Sequence, residues 1–92
     1  MRSKNSTQKR IVHRLKIARG HLDKVISMAE GKEYCMDIIL QSHAVEGALK
    51  EVDNLILENH LATHAADQMR SGKSGKTIKE ILSIYKLSRK RN

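Results

Sequence analysis

The sequence predicts an all-α protein with three helices per chain, two copies of which pair as an antiparallel four-helix bundle. Three observations lead there. The apolar residues of this 92-residue chain are mostly Ile, Leu, Val, Ala and Met, with no Trp, Phe or Pro, a set that packs well between helices. They recur at three- and four-residue steps, the spacing of one helix face. The second helical stretch is also too long for the rest of one small chain to cover, and small domains commonly gain stability by oligomerising.

Helix one is expected over about 7–30. Ser6 or Thr7 would be its N-cap, Gly31 its stop, and Ile11, Leu15, Ala18, Leu22, Val25, Ile26 and Ala29 its apolar stripe. Gly20 interrupts that stripe, which suggests a close helix approach. Helix two is expected over about 33–69, roughly 50 Å at 1.5 Å per residue. Ile38, Ile39, Val45, Ala48, Leu49, Val52, Leu55, Ile56, Ala62 and Ala65 give it helical periodicity. Residues 70–76, with Gly72 and Gly75, read as a flexible linker. Helix three is expected over about 77–88, with Thr77 and Glu80 as a capping box and Ser88–Asn92 as a frayed basic tail. The whole of 1–92 reads as a single domain.

Charge is blocked along the chain. Residues 1–29 carry eight basic side chains against Asp23, residues 30–69 eight acidic against Lys32 and Lys50, and residues 70–92 eight basic against Glu80. The net charge is +8. Basic ends of this kind can meet phosphates. The lack of stacking aromatics favours duplex DNA over a single strand. A solvated charged surface is the bland alternative. Cys35 is the sole cysteine, so no internal disulfide framework exists. No apolar run approaches the roughly 20 residues that span a bilayer, and the N-terminus has no signal-peptide core. Cytoplasmic residence is the expectation.

His60 and His64 lie i, i+4 on helix two, so both imidazoles leave the same face. Alone, that spacing often arises by chance. Cys35 lies 25 residues before His60, about 38 Å away along one helix, so a single helix cannot unite the three. An antiparallel partner can. The two helices would cross near residues 48 and 49, beside the small residues Ala44, Gly47 and Ala48. Each of two sites per dimer would then take Cys35 from one chain and His60 and His64 from the other. A thiolate with two imidazoles suits Cu(I), Zn(II) or another thiophilic ion, although a lone cysteine is more often a small buried hydrophobe. His13 and His21 read as surface or DNA-facing groups, His43 as an ordinary packing or surface histidine, and Met28, Met36 and Met69 as core filler.

Nearly the whole chain resembles the copper-sensitive operon repressor family. The resemblance is carried by Arg14-Leu15 through Arg19-Gly20, by Tyr34-Cys35, and by Glu58-Asn59-His60-Leu61 with His64. It implies a DNA-binding repressor, a helical dimer that pairs into a homotetramer, and release of operator DNA on ligand binding. It implies Cys35, His60 and His64 as metal ligands, Tyr34 and Glu80 as groups supporting the ligand histidine, and Arg14 as an operator contact. Lys9, Arg10, Arg19 and Lys50 would extend that surface. The copper-sensing branch is the most similar, which implies Cu(I), although His64 stands where those sensors carry a second cysteine. The nickel and cobalt sensors resemble this chain at the three ligands but add a histidine near the N-terminus, where Met1-Arg2-Ser3-Lys4 has none. The formaldehyde sensors use a proline where Arg2 stands, and the persulfide sensors use two cysteines.

Zn(II), Ni(II) or Co(II) sensing on the same scaffold remains the alternative. A metal-binding helical protein that does not touch DNA is a second one, against which the charge blocks count. Cys35 with His60 as nucleophile and base has no oxyanion motif or orienting third group behind it, so no enzyme is expected.

Overall fold

The structure, a computed structural model, describes residues 4–90 and the side chains of 6–87. Its elements among the described residues are all helical. The elements are α1 (Lys4–Glu30), α2 (Cys35–His60), a π-helical turn (Leu61–Ala65), α3 (Ala66–Arg70) and α4 (Ser74–Lys90). The chain divides into two compact units, one up to Leu57 and one from Glu58. No helix is long and apolar enough to cross a membrane among the described residues.

The first unit is a helical hairpin. On α1, Ala18, Val25 and Met28 are buried, and on α2, Val45 and Val52. Half-buried Ile11 on α1, and Ile38, Ala48 and Leu55 on α2, continue these faces at three-, four- and seven-residue steps, as in a coiled-coil seam. Two polar contacts join the helices. The His21 Nε2 lies 2.8 Å from the Gln41 Oε1, and an Arg14 guanidinium nitrogen lies 3.8 Å from a Glu51 carboxylate oxygen. His21 is therefore a seam residue rather than a surface one. Leu15, Leu22 and Ile26, expected on the buried stripe, remain exposed in the single chain.

Helix one starts at Lys4, so Ser6 and Thr7 lie inside it and neither is its cap. Its stop also differs from expectation. The Glu33 N–H donates to the Met28 carbonyl and the Lys32 N–H to the Ala29 carbonyl, the paired bonds of a Schellman ending. The residue in the left-handed conformation is Lys32, at φ 55°, not Gly31. Gly31 sits one residue earlier, where an added Cβ would lie 3.3 Å from the Ser27 carbonyl oxygen. A Cβ at Gly20 or Gly47 would meet nothing within 4 Å, so any close approach at these glycines must come from outside the chain.

The second unit is a shorter hairpin. Gly72, at φ 82°, ends α3 with the same paired bonds, Lys73 N–H to the Gln68 carbonyl and Gly72 N–H to the Met69 carbonyl. The predicted linker over 70–76 is therefore only a tight turn, and α4 begins at Ser74. Thr77 falls inside its first turn and is not a cap. Its side chain is buried, and its hydroxyl donates to the Gln68 Oε1 at 2.6 Å, pinning α4 to α3. The expected tail is also helical as far as Lys90, and residues 91–92 lie outside the described residues.

Candidate metal centre

The second unit assembles most of the predicted site. His60 is the last residue of α2 and His64 lies in the π-helical turn that follows. Their ring centroids are 5.5 Å apart, edge to face at 60°. Between them, the Thr63 hydroxyl donates to the Asn59 carbonyl at 2.8 Å, the back-bond a helix threonine commonly makes to the residue four before it.

Glu80 of α4 faces the histidine pair, its Oε1 lying 4.0 Å from the His60 Nε2. His60 is partly buried and Glu80 is nearly half-exposed. The carboxylate is therefore on hand to orient one imidazole and to leave that ring's Nδ1 for another partner. His64 is exposed.

Cys35 is an exposed free thiol at the first position of α2. The preceding Tyr34 carbonyl accepts the Asp37 and Ile38 N–H groups and so opens the helix, while the Tyr34 side chain is exposed. Among the described residues of one chain, no group of three or more His, Cys, Asp or Glu side chains is placed to hold a metal ion. The structure thus brings His60, His64 and Glu80 together within the second unit, while Cys35 belongs to the first.

The predicted basic surface lies on the first unit. Lys9, Arg14, Arg19 and Lys50 are exposed and Arg10 is half-buried. Arg14 is additionally held near Glu51, an acidic neighbour that sequence reading did not foresee. His13 is exposed, and exposed His43 has its Nδ1 3.8 Å from Glu46. Three features of the second unit were also missed: the π-helical turn, the Thr63 hydroxyl that accompanies it, and the Gln68–Thr77 bond.

A family model described as metal-sensitive transcriptional repressor matches residues 7–86. The chain belongs to this family. Metal-sensitive repressors similar to it include a copper-sensing transcriptional repressor of Bacillus subtilis, 37% identical over 84 residues, covering 90% of this chain and 83% of that one. Another is the copper-sensing transcriptional repressor of Mycobacterium ulcerans, 36% identical over 77 residues, covering 84% of this chain and 66% of that protein. The crystal structure of a copper-sensing repressor with Cu(I) from Geobacillus thermodenitrificans matches the fold with a TM-score of 0.84 at 30% identity, covering 97% of this chain and 92% of that one. The resemblance drawn from Tyr34-Cys35 and the His60 segment is therefore to the right family, and the all-helical class agrees with the solved relative.

Proposed function

We propose that this chain is a cytoplasmic transcriptional repressor that binds operator DNA as a homo-oligomer and releases it on taking up Cu(I). Each site is built from Cys35 of one subunit with His60 and His64 of another, and the whole chain acts as one repressor domain. The observation that carries this reading is the paired imidazoles of His60 and His64, backed by Glu80. The copper-sensing relatives support the choice of metal.

The donor set fits Cu(I). One soft thiolate and two imidazoles suit it.

Cys35 would hold the ion through its thiolate and His64 through a neutral imidazole, and the ion would supply a positive centre there. His60 would offer Nδ1 and keep its Nε2 proton for Glu80, whose carboxylate oxygen lies 4.0 Å away, the arrangement that commonly fixes a metal-bound histidine. Glu80 would thereby link the site to α4. Tyr34, next to Cys35, supports the same site. Operator DNA is held by Arg14, Lys9, Arg10, Arg19 and Lys50 through phosphate contacts.

Assembly is supported by the surface left uncovered. Leu15, Leu22 and Ile26 of α1 and Ile39, Leu49 and Ile56 of α2 are all more than 38% exposed in one chain, more apolar surface than a small monomer normally leaves in water. A second copy covers it in a dimer, and dimers pair as a tetramer. The reading assigns no catalysis to Cys35. Titrating the protein onto DNA with and without Cu(I), Zn(II), Ni(II) and Co(II) tests it: Cu(I) is expected to release the DNA most effectively, and release by Zn(II) but not Cu(I) would replace copper with zinc.

A further inference from the structure

We propose that the lysine face of α4, formed by Lys76, Lys79 and Lys86, is a second phosphate-binding surface for duplex DNA, on a different element from the basic residues of α1 and α2. The inference rests on the repressor reading above and extends the DNA contact to the helix that carries Glu80. Residues 70–92 hold eight basic side chains and a single acidic one, Glu80, and none of the DNA contacts proposed above lies among them. At about 100° per residue, Lys76, Lys79, Ser83 and Lys86 fall within an arc of roughly 80° on α4. All four are exposed. Ser83 leaves the lysines unopposed, since its hydroxyl donates back to the Lys79 carbonyl at 3.0 Å. The exposed apolar residues Ile78, Ile81, Leu82 and Tyr85 centre about 130° away around the helix. A protein partner seated on that apolar face leaves the lysine face in solvent.

Charge and length both point to duplex DNA as the occupant. Three cations share this face with no acid between them, the complement of a phosphate chain. The sole acid of the block, Glu80, lies on the flank, with its Oε1 4.0 Å from the His60 Nε2. Lys76 and Lys86 stand about 15 Å apart along the helix axis. Phosphates of one strand recur about every 3.4 Å along the duplex, so the face spans about four of them. It carries no aromatic ring on which a base could stack, which suits a duplex backbone rather than a single strand. Contacts of this kind position the protein without reading sequence. Within one compact unit, α4 then holds a DNA contact and, through Glu80, a group beside His60.

The test uses the full-length, metal-free protein with two duplexes, one selected by the parent from a random pool and one unrelated. Their affinities are measured across a range of salt concentrations. Three variants are compared with the parent: Lys76, Lys79 and Lys86 all changed to Gln, the same three changed to Arg, and Lys24, Lys32 and Lys73 changed to Gln. The last removes the same charge from exposed lysines outside both surfaces. The first is expected to lower the log–log salt slope by about 0.9 per lysine, about 2.7 in all, on both duplexes. Its affinity is expected to fall about tenfold or more at ~0.1 M salt. The arginine variant should keep the parent's slope, and the control should lose less than about one unit of it. A parent-like slope in the first variant, or an equal loss in the control, would overturn the proposal. So would a changed sedimentation coefficient in the first variant, which would give the face to a subunit contact. If the first variant fails to fold, the single Lys→Gln changes carry the comparison, each expected to remove about 0.9 from the slope. A parent that binds neither duplex defeats the repressor reading itself, whereas a parent that binds DNA with a slope indifferent to these lysines defeats the α4 surface alone.

Discussion

At the scale of single residues, the proposed ligands Cys35, His60 and His64 differ in softness. The thiolate is the softest of the proposed donors, so Cys35→Ala is expected to abolish tight Cu(I) binding, while His60→Ala and His64→Ala each weaken it. Competition with a Cu(I) chelator measures all three. Retained tight binding in the Cys35 variant would remove the thiolate from the site. Glu80 has a different proposed task. It stands 4.0 Å from the His60 Nε2 and is proposed to support that ring rather than to bind the metal, so Glu80→Ala should lower the metal–DNA coupling more than it lowers Cu(I) affinity. A Glu80 variant that responds to metal like the parent would cut α4 out of the regulatory route. The pairing of His60 with His64 was legible in the sequence from their i, i+4 spacing, whereas Glu80 was pointed to only by the family resemblance. Thr63, Gln68 and Thr77 were not legible, because threonine and glutamine are ordinary helix-surface residues until a fold gives each a partner. The Glu51 contact to Arg14 was hidden for the same reason: pairing across a hairpin depends on register, which charge counts do not encode.

At the scale of elements, the two hairpin turns are the most instructive comparison. Both use the same paired hydrogen bonds, yet one places Gly72 in the left-handed position and the other Lys32. A side chain there costs roughly 1 kcal/mol, so Lys32→Gly is expected to stabilise the protein by about 0.5–1 kcal/mol in urea unfolding. Unchanged or lower stability would contradict the assigned turn. Gly31 drew attention as the stop because glycine usually fills the left-handed position, and the true ending lies one residue later. The capping box at Thr77 failed for a related reason. Ser74 starts α4 early enough that Thr77 turns inward, where its hydroxyl binds Gln68. Thr77→Val preserves shape and removes that bond, and should cost about 1 kcal/mol. Periodicity located the helices well, since burial at Ala18, Val25, Val45 and Val52 follows it. It could not show the π-helical turn, because one widened turn scarcely disturbs the apolar pattern on either side.

At the scale of the whole molecule, the apolar faces of α1 and α2 that one chain leaves exposed are the surface proposed to be covered by a partner copy. If sites are shared between subunits, mixing Cys35→Ala with His60→Ala chains should restore Cu(I) sites in heterodimers, since one of the two sites keeps every ligand. No recovery in verified heterodimers would place all three ligands in one chain. The blocked charge made a nucleic-acid partner legible in the sequence, whereas base contacts were not, because no recognition-helix motif is present to read them from. Phosphate contacts make binding salt-dependent, with a log–log slope of about −0.9 per phosphate neutralised, and Arg14→Ala should reduce both slope and affinity while leaving Cu(I) affinity unchanged. Metal and DNA must weaken each other by the same factor. The most direct test is therefore the affinity of the metal-free protein for a DNA fragment selected by it from a random pool, measured again with one Cu(I) per chain under anaerobic conditions. A fall of roughly 5–150-fold is predicted; stoichiometric Cu(I) binding that leaves DNA affinity unchanged or increased would contradict the account.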